Sequence, residues 1–184
     1  MRRGEPNQYF DGLFKNRKNT EMETKIMATE EKKKENRLRL TNLALLSLAA
    51  GAWDVLGKKG VNSFSGQMGD KILKVMEQEM GLEIAGEDPE TVLMEVSRIF
   101  VDEYGFASDI DVEKVDEEHF RLKVHNCVNR SFTDKLAEAG VEHPYICPIM
   151  NASRSALKRM GYKVHEDITK WTEGKGSIIE FSQI

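Results

Sequence analysis

From Tyr162 to Phe181 the chain reads Y-K-V-H-E-D-I-T-K-W-T-E-G-K-G-S-I-I-E-F. Val164, Glu166 and Ile168 fall on one parity, the period of a half-buried strand. Glu173-Gly174-Lys175-Gly176 supplies a turn, and a second strand follows over about 177–181. The chain therefore closes on an antiparallel hairpin. Working back from it, Gly161 ends a helix over 149–160, and the loop 141–148 precedes that helix. Gly140 ends an earlier short helix, 131–138, carrying Phe132 and Leu136.

A second hairpin lies upstream. Ile110 and Val112 alternate with Asp109, Asp111 and Glu113, and across Asp116–Glu118 the residues Phe120, Leu122 and Val124 alternate with Arg121, Lys123 and His125. Everything before it is helical. Asp88 is an N-cap, Pro89 takes the first helical position, and Val92, Leu93, Val96, Ile99 and Phe100 make an apolar stripe that Gly105 ends. A helix over 63–80 places Phe64, Met68, Ile72, Val75 and Met76 at helical spacing. Gly66 and Gly69 inside it each cost ~1 kcal/mol against alanine, which predicts close approach of another backbone or of a ligand. The first helix, from about 29, turns Leu38, Leu45, Leu46, Trp53 and Leu56 to one side and stops at Gly57 and Gly60. The fold class expected is α+β: N-terminal helices packed on an antiparallel sheet built from two β-hairpins, with two short helices between them. Residues 1–28 read as a flexible leader and residues 29–184 as one ligand-binding domain.

Composition narrows the function. The chain has 184 residues, of which 32% are charged and 40% hydrophobic, as in a soluble globular protein. Net charge is +4 over residues 1–40 and −8 over the rest. The acidic body excludes a nucleic-acid surface there, since phosphate binding needs clustered cations. The apolar run Leu43–Val55, broken by Ser47 and Asp54, reads as too short to span a bilayer. Two cysteines without disulfide spacing point to a reducing cytoplasm. Neither a phosphate-binding nor a dinucleotide glycine motif is present.

Cys127 and Cys147 are the only cysteines, and three of the four histidines, His125, His143 and His165, lie beside them or on the closing hairpin. Soft thiolates with imidazole or carboxylate partners suit a tetrahedral zinc. Glu166 shares its face with Val164 and Ile168, and an inward carboxylate must be paired, metal-bound or protonated. Cys147 precedes a helix, whose N-terminus favours a thiolate, so with His143 it is also a candidate nucleophile.

The closing hairpin resembles that of 4-vinyl reductase-type, or hydrocarbon-binding, domains. The preceding order of helices, hairpin, helix and cysteine-bearing loop is similar too. That family shares its fold with subunits of the vesicle-tethering transport particle and includes the sensing domains of phenol-responsive regulators. By position, Glu166 matches the acid opening the family's final hairpin, and Cys147 its upstream cysteine. Thr169 and Ser177 stand where metal-binding members carry cysteines. A second resemblance, to amino-thiazoline-carboxylate hydrolase-like proteins, rests on one cysteine after a strand and another before a helix.

The first resemblance implies a cytoplasmic, homodimeric module holding a small apolar or aromatic molecule between helices and sheet. Phe64, Met68, Ile72, Met76, Phe120, Leu122 and Glu166 would line the site. Zinc is the one cofactor suggested, with Cys127, Cys147, His143 and Glu166 as ligands. Two alternatives stand beside it: a cysteine- or metal-dependent hydrolase or reductase using Cys147 and His143, and a structural homodimeric subunit joined through its glycine-bearing helices.

Overall fold

A computed structural model describes residues 28–184, so the leader expected over 1–28 lies, but for its last residue, outside the described residues. The chain divides into a unit ending at Arg37 and a body, Leu38–Ile184. In the first unit the described residues open helix α1 (Glu30–Gln78), where Lys33 pairs with Glu30 and Lys32 with Glu35 on exposed turns.

The body follows the expected order. Helix α1 is followed by α2 (Pro89–Arg98), which widens into a π turn over Ile99–Glu103. Then come β1 (Asp109–Lys114), β2 (His119–His125), α3 (Arg130–Glu138), α4 (Pro148–Arg159), β3 (Val164–Trp171) and β4 (Gly176–Gln183). The two hairpins join through β2 and β4 into one antiparallel sheet of order β1-β2-β4-β3. Leu122 stands opposite Ile179, and Glu166 opposite Phe181.

Local chemistry explains the elements. Asp88 accepts the Thr91 amide at 2.9 Å while the Thr91 hydroxyl faces the Asp88 amide, a reciprocal cap that fixes where α2 begins. The expected stripe Val92, Leu93, Val96, Ile99 and Phe100 is wholly buried. It meets Phe120, Leu122, Val124, Ile179 and Phe181 from the inner sheet face and Ile149, Met150, Ala156 and Leu157 from α4. Each such side chain contributes roughly 1.5–3 kcal/mol by leaving water. The outer sheet face is polar, with Arg121 reaching Glu180 at 2.8 Å.

Gly57 bends α1 with φ 62° and ψ 178°, a backbone region open only to glycine. The two helices read from the sequence are therefore the two arms of α1. Gly69 is the point of closest approach on the second arm. A Cβ there would collide with the Asn151 carbonyl and the Ser155 hydroxyl of α4. Leu73 and Met76 from the same arm enter the main core.

The first arm corrects two expectations. Leu38, Leu45 and Leu56 are exposed, and the face in contact with the body is Leu46, Ala49, Ala50 and Trp53, packed on Phe132, Leu136, Val141 and Tyr145. The arm has apolar residues on more than one side, so the sequence spacing did not single out the inner one. Among the described residues, α1 is also the one helix long and apolar enough to cross a membrane, with a window of 18 residues at mean hydropathy 1.3. The apolar stretch is thus longer than the run between Leu43 and Val55, because leucines on either side of it outweigh the interrupting polar residues.

Candidate functional site

The second arm of α1 and the end of α2 border an apolar hollow of about 470 Å³ that is open on one side. Phe64, Met68, Ile72 and Met76 line it, as expected from their spacing, with Val75 beside them. The opposite wall is Phe100, Tyr104 and Phe106, and Pro148 closes one side. The π turn over Ile99–Glu103 carries Phe100 and is capped by Tyr104; such wide turns recur at functional positions. Phe106 stands edge-on to Phe100 at 5.8 Å, and Tyr104 lies 5.7 Å from it. The Tyr104 hydroxyl donates to the Met80 sulfur at 2.8 Å, and burial raises its pKa. Gln67 and Lys71 are the remaining polar groups at the rim. The hollow can therefore hold an apolar body and offers polar contact only at its edge.

The other residues expected to line a ligand site are elsewhere. Phe120 and Leu122 are 3% and 0% exposed on the inner sheet face. They are core residues covered by α2 and α4, because the period-2 pattern that marks a ligand wall equally marks a strand beneath a helix. Glu166 does point inward, as its parity requires, but into a separate polar hollow with Lys58, Asn62, His143, Arg154, His165 and Asp167.

There Glu166 is held by Arg154 of α4, an ion pair whose side chains are 11% and 14% exposed. Arg154 also donates to the Ser65 hydroxyl at 3.1 Å. The carboxylate is thus paired with a guanidinium. His143 has its pKa lowered by burial, against the pull of Glu166 and Asp167.

Cys127 and Cys147 face a third hollow, of about 160 Å³, with Arg130, Asp134, Thr169 and Ser177. The four expected zinc ligands are therefore split two and two, since Glu166 and His143 line the polar hollow. Among the described residues the one group of three close metal-ligating side chains is Asp109, Asp111 and His125, whose ligand atoms lie within 4.8 Å of one another. It sits on the exposed sheet face, where His125 Nε2 meets Asp111 at 2.8 Å and the ring stands edge-on to Trp171 at 4.7 Å. The D-x-D parity on β1 with His125 opposite Asp109 was readable from the sequence once the hairpin register was drawn.

The nucleophile reading is corrected as well. Cys147 is the residue before α4, yet burial pushes its thiol up to about 12, and the Met150 and Ile149 amides only partly oppose this. Burial also raises the Cys127 thiol. His143, the base expected beside it, lines a different hollow from Cys147.

Comparison with solved structures places this architecture. A trafficking protein particle complex subunit 3 from Naegleria fowleri, solved covalently bound to palmitic acid, superposes with a TM-score of 0.56 at 12% identity, over 83% of this chain and 96% of that one. The phenol-responsive sensory domain of the transcription activator PoxR, solved with phenol, gives a TM-score of 0.53 at 12% identity, over 77% of this chain and 74% of that one. At such identities the likeness is one of fold. No curated protein matches the sequence. Residues 41–184 match the family described as "Putative rubredoxin C-terminal domain", and the chain belongs to that family.

Proposed function

We propose that this protein binds a small apolar or aromatic molecule in the hollow between the second arm of α1 and the Phe100–Phe106 segment, in the manner of a hydrocarbon-binding sensor or carrier. The observation that carries the reading is the hollow itself: about 470 Å³ walled by aromatic, methionine and aliphatic side chains. Pockets of roughly 300–1,000 Å³ with mostly apolar walls suit ligands of this class. Met68 and Met76 give the wall a soft, adaptable surface. Two proteins of this fold were solved holding small molecules, one phenol and one palmitic acid, which supports the reading. The resemblance of the closing hairpin to 4-vinyl reductase-type domains points the same way.

Zinc has no part in this reading. Arg154 already holds Glu166, and a tetrahedral four-thiolate iron or zinc centre needs four cysteines where the chain has two.

Native mass spectrometry of the purified protein tests the proposal directly, because a co-purified hydrophobe appears as an adduct mass. The complementary assay is thermal unfolding with added phenol or decanoate. Ligand at a hundredfold excess over Kd stabilises by about 2.7 kcal/mol, a rise in Tm of roughly 5–10 °C for a chain of this size. Met68→Trp, which fills the hollow, abolishes both signals while the far-UV spectrum stays unchanged. A shift that survives Met68→Trp rules this hollow out.

A further inference from the structure

Lys71 is the one charged residue among those that line the apolar hollow, and no acid stands beside it there. One helical turn to either side of it lie Gln67, Met68, Lys74 and Val75, so its own helix offers no carboxylate at pairing distance either. No ion pair among the described residues includes Lys71. The acids of the same arm are engaged on its other side, against α4. Asp70 meets Lys158 at 3.1 Å and accepts from the Ser155 hydroxyl at 2.8 Å, and Glu77 meets Arg159 at 2.6 Å. The arginines of the other two hollows are matched as well, Arg154 by Glu166 and Arg130 by Asp134 at 3.0 Å. The apolar hollow is thus the chamber whose cation has been left without a counter-charge.

The remaining polar groups of its lining carry no charge, and each can donate. Gln67 precedes Lys71 by four residues on the same side of the arm, with roughly 5–6 Å between Cβ positions at that spacing. The Tyr104 hydroxyl uses its proton on the Met80 thioether, a weak acceptor that a carboxylate oxygen outcompetes.

We propose that the molecule held in this hollow is an amphiphile with a carboxylate head, which Lys71 binds at the rim while the apolar body lies between Phe64–Met76 and Phe100–Phe106. The inference rests on the hollow being a ligand site, as proposed above, and names the class of ligand. An ammonium on a flexible stem pairs with a single negative charge, and the apolar wall beside it weakens screening by water. The Gln67 amide is one turn away for the second carboxylate oxygen. A doubly charged phosphate head would find one cation where it needs two, and an amine head would meet like charge.

Calorimetric titration of the full chain with decanoate and with decanol tests this, since the two share a chain and differ in the head. An uncharged apolar pocket prefers the alcohol, because a carboxylate is costlier to desolvate. Here decanoate should bind about tenfold more tightly than decanol near neutral pH, the size of one charge-assisted contact. Lys71→Met, which keeps the stem, should erase that preference and leave decanol affinity unchanged. Lys71→Arg should retain it, as should Lys74→Met, which removes a cation outside the lining. Decanol binding as tightly as decanoate, or a preference that survives Lys71→Met, overturns the carboxylate assignment while the hollow remains a ligand site. Failure of both compounds to bind overturns the assignment and the hollow together.

Discussion

Replacing Arg154 by methionine removes one partner of the most enclosed ion pair in the body while keeping a stem of similar length. Glu166 is then left 11% exposed with its counter-charge gone, and the Ser65 hydroxyl loses its guanidinium donor. Breaking a buried pair from one side costs roughly 3–5 kcal/mol, because the remaining charge is neither solvated nor matched. The exposure here is small but not zero, so the lower end, about 3 kcal/mol, is expected. For a chain of this length that is a fall in Tm of roughly 6–12 °C. Urea unfolding of the wild type, Arg154→Met, Glu166→Leu and the double variant forms a complete cycle. The double variant should recover most of the loss, since an apolar pair of similar volume carries no desolvation penalty. A single-variant loss under about 1 kcal/mol would mean the pair behaves like a surface salt bridge, and the enclosed reading of this hollow would be wrong.

Gly69→Ala drives a methyl group into the Asn151 main chain and should cost at least about 2 kcal/mol by overpacking. Gly66→Ala meets only the flexible end of Arg154, at 3.3 Å, and should be neutral or stabilising by up to ~1 kcal/mol through helix propensity; equal losses in urea melts would refute the difference. The Cys147 thiol, raised from 9.0 to about 12, keeps its proton in the folded chain after the unfolded chain has lost it. Between those values the unfolded state binds fewer protons, so stability falls as pH rises, by about 1.4 kcal/mol per pH unit. Cys147→Ala flattens that slope, and an unchanged slope would show that another group is responsible. Thiol reagents at neutral pH should label native Cys147 far more slowly than the unfolded chain; rapid labelling would contradict its burial.

What the sequence made legible was mostly local. Asp88, Pro89 and the stripe behind them name the start and the buried side of α2 within a dozen residues, and hairpin parity turned Glu166 inward correctly. The Phe64–Met76 wall followed from one helix's own spacing. What failed depended on how elements lie over one another. Arg154 stands twelve residues from Glu166, and only the seating of α4 on β3 brings them together. Phe100 was read only as part of the buried stripe, and Tyr104 was not foreseen as a wall because it follows a π turn that leaves no mark in a periodicity of 3.6. Phe120 and Leu122 were read as lining a site because a strand's apolar parity does not say whether a cavity or a helix covers it. The four supposed zinc ligands, Cys127, His143, Cys147 and Glu166, line two separate hollows, because their placement depends on how the loop before α4 and strand β3 pack rather than on their spacing.

The bend at Gly57 ties two surfaces to a single residue. With φ 62° and ψ 178°, one residue's steric map sets the angle between the leucine-rich arm and the arm that walls the hollow. Exposed Leu40 and Leu48 precede the joint, and Phe64, Met68 and Ile72 follow it. A side chain at position 57 disfavours that conformation and with it the bend. The placement of the hollow's wall relative to the leucine surface thus rests on one missing Cβ.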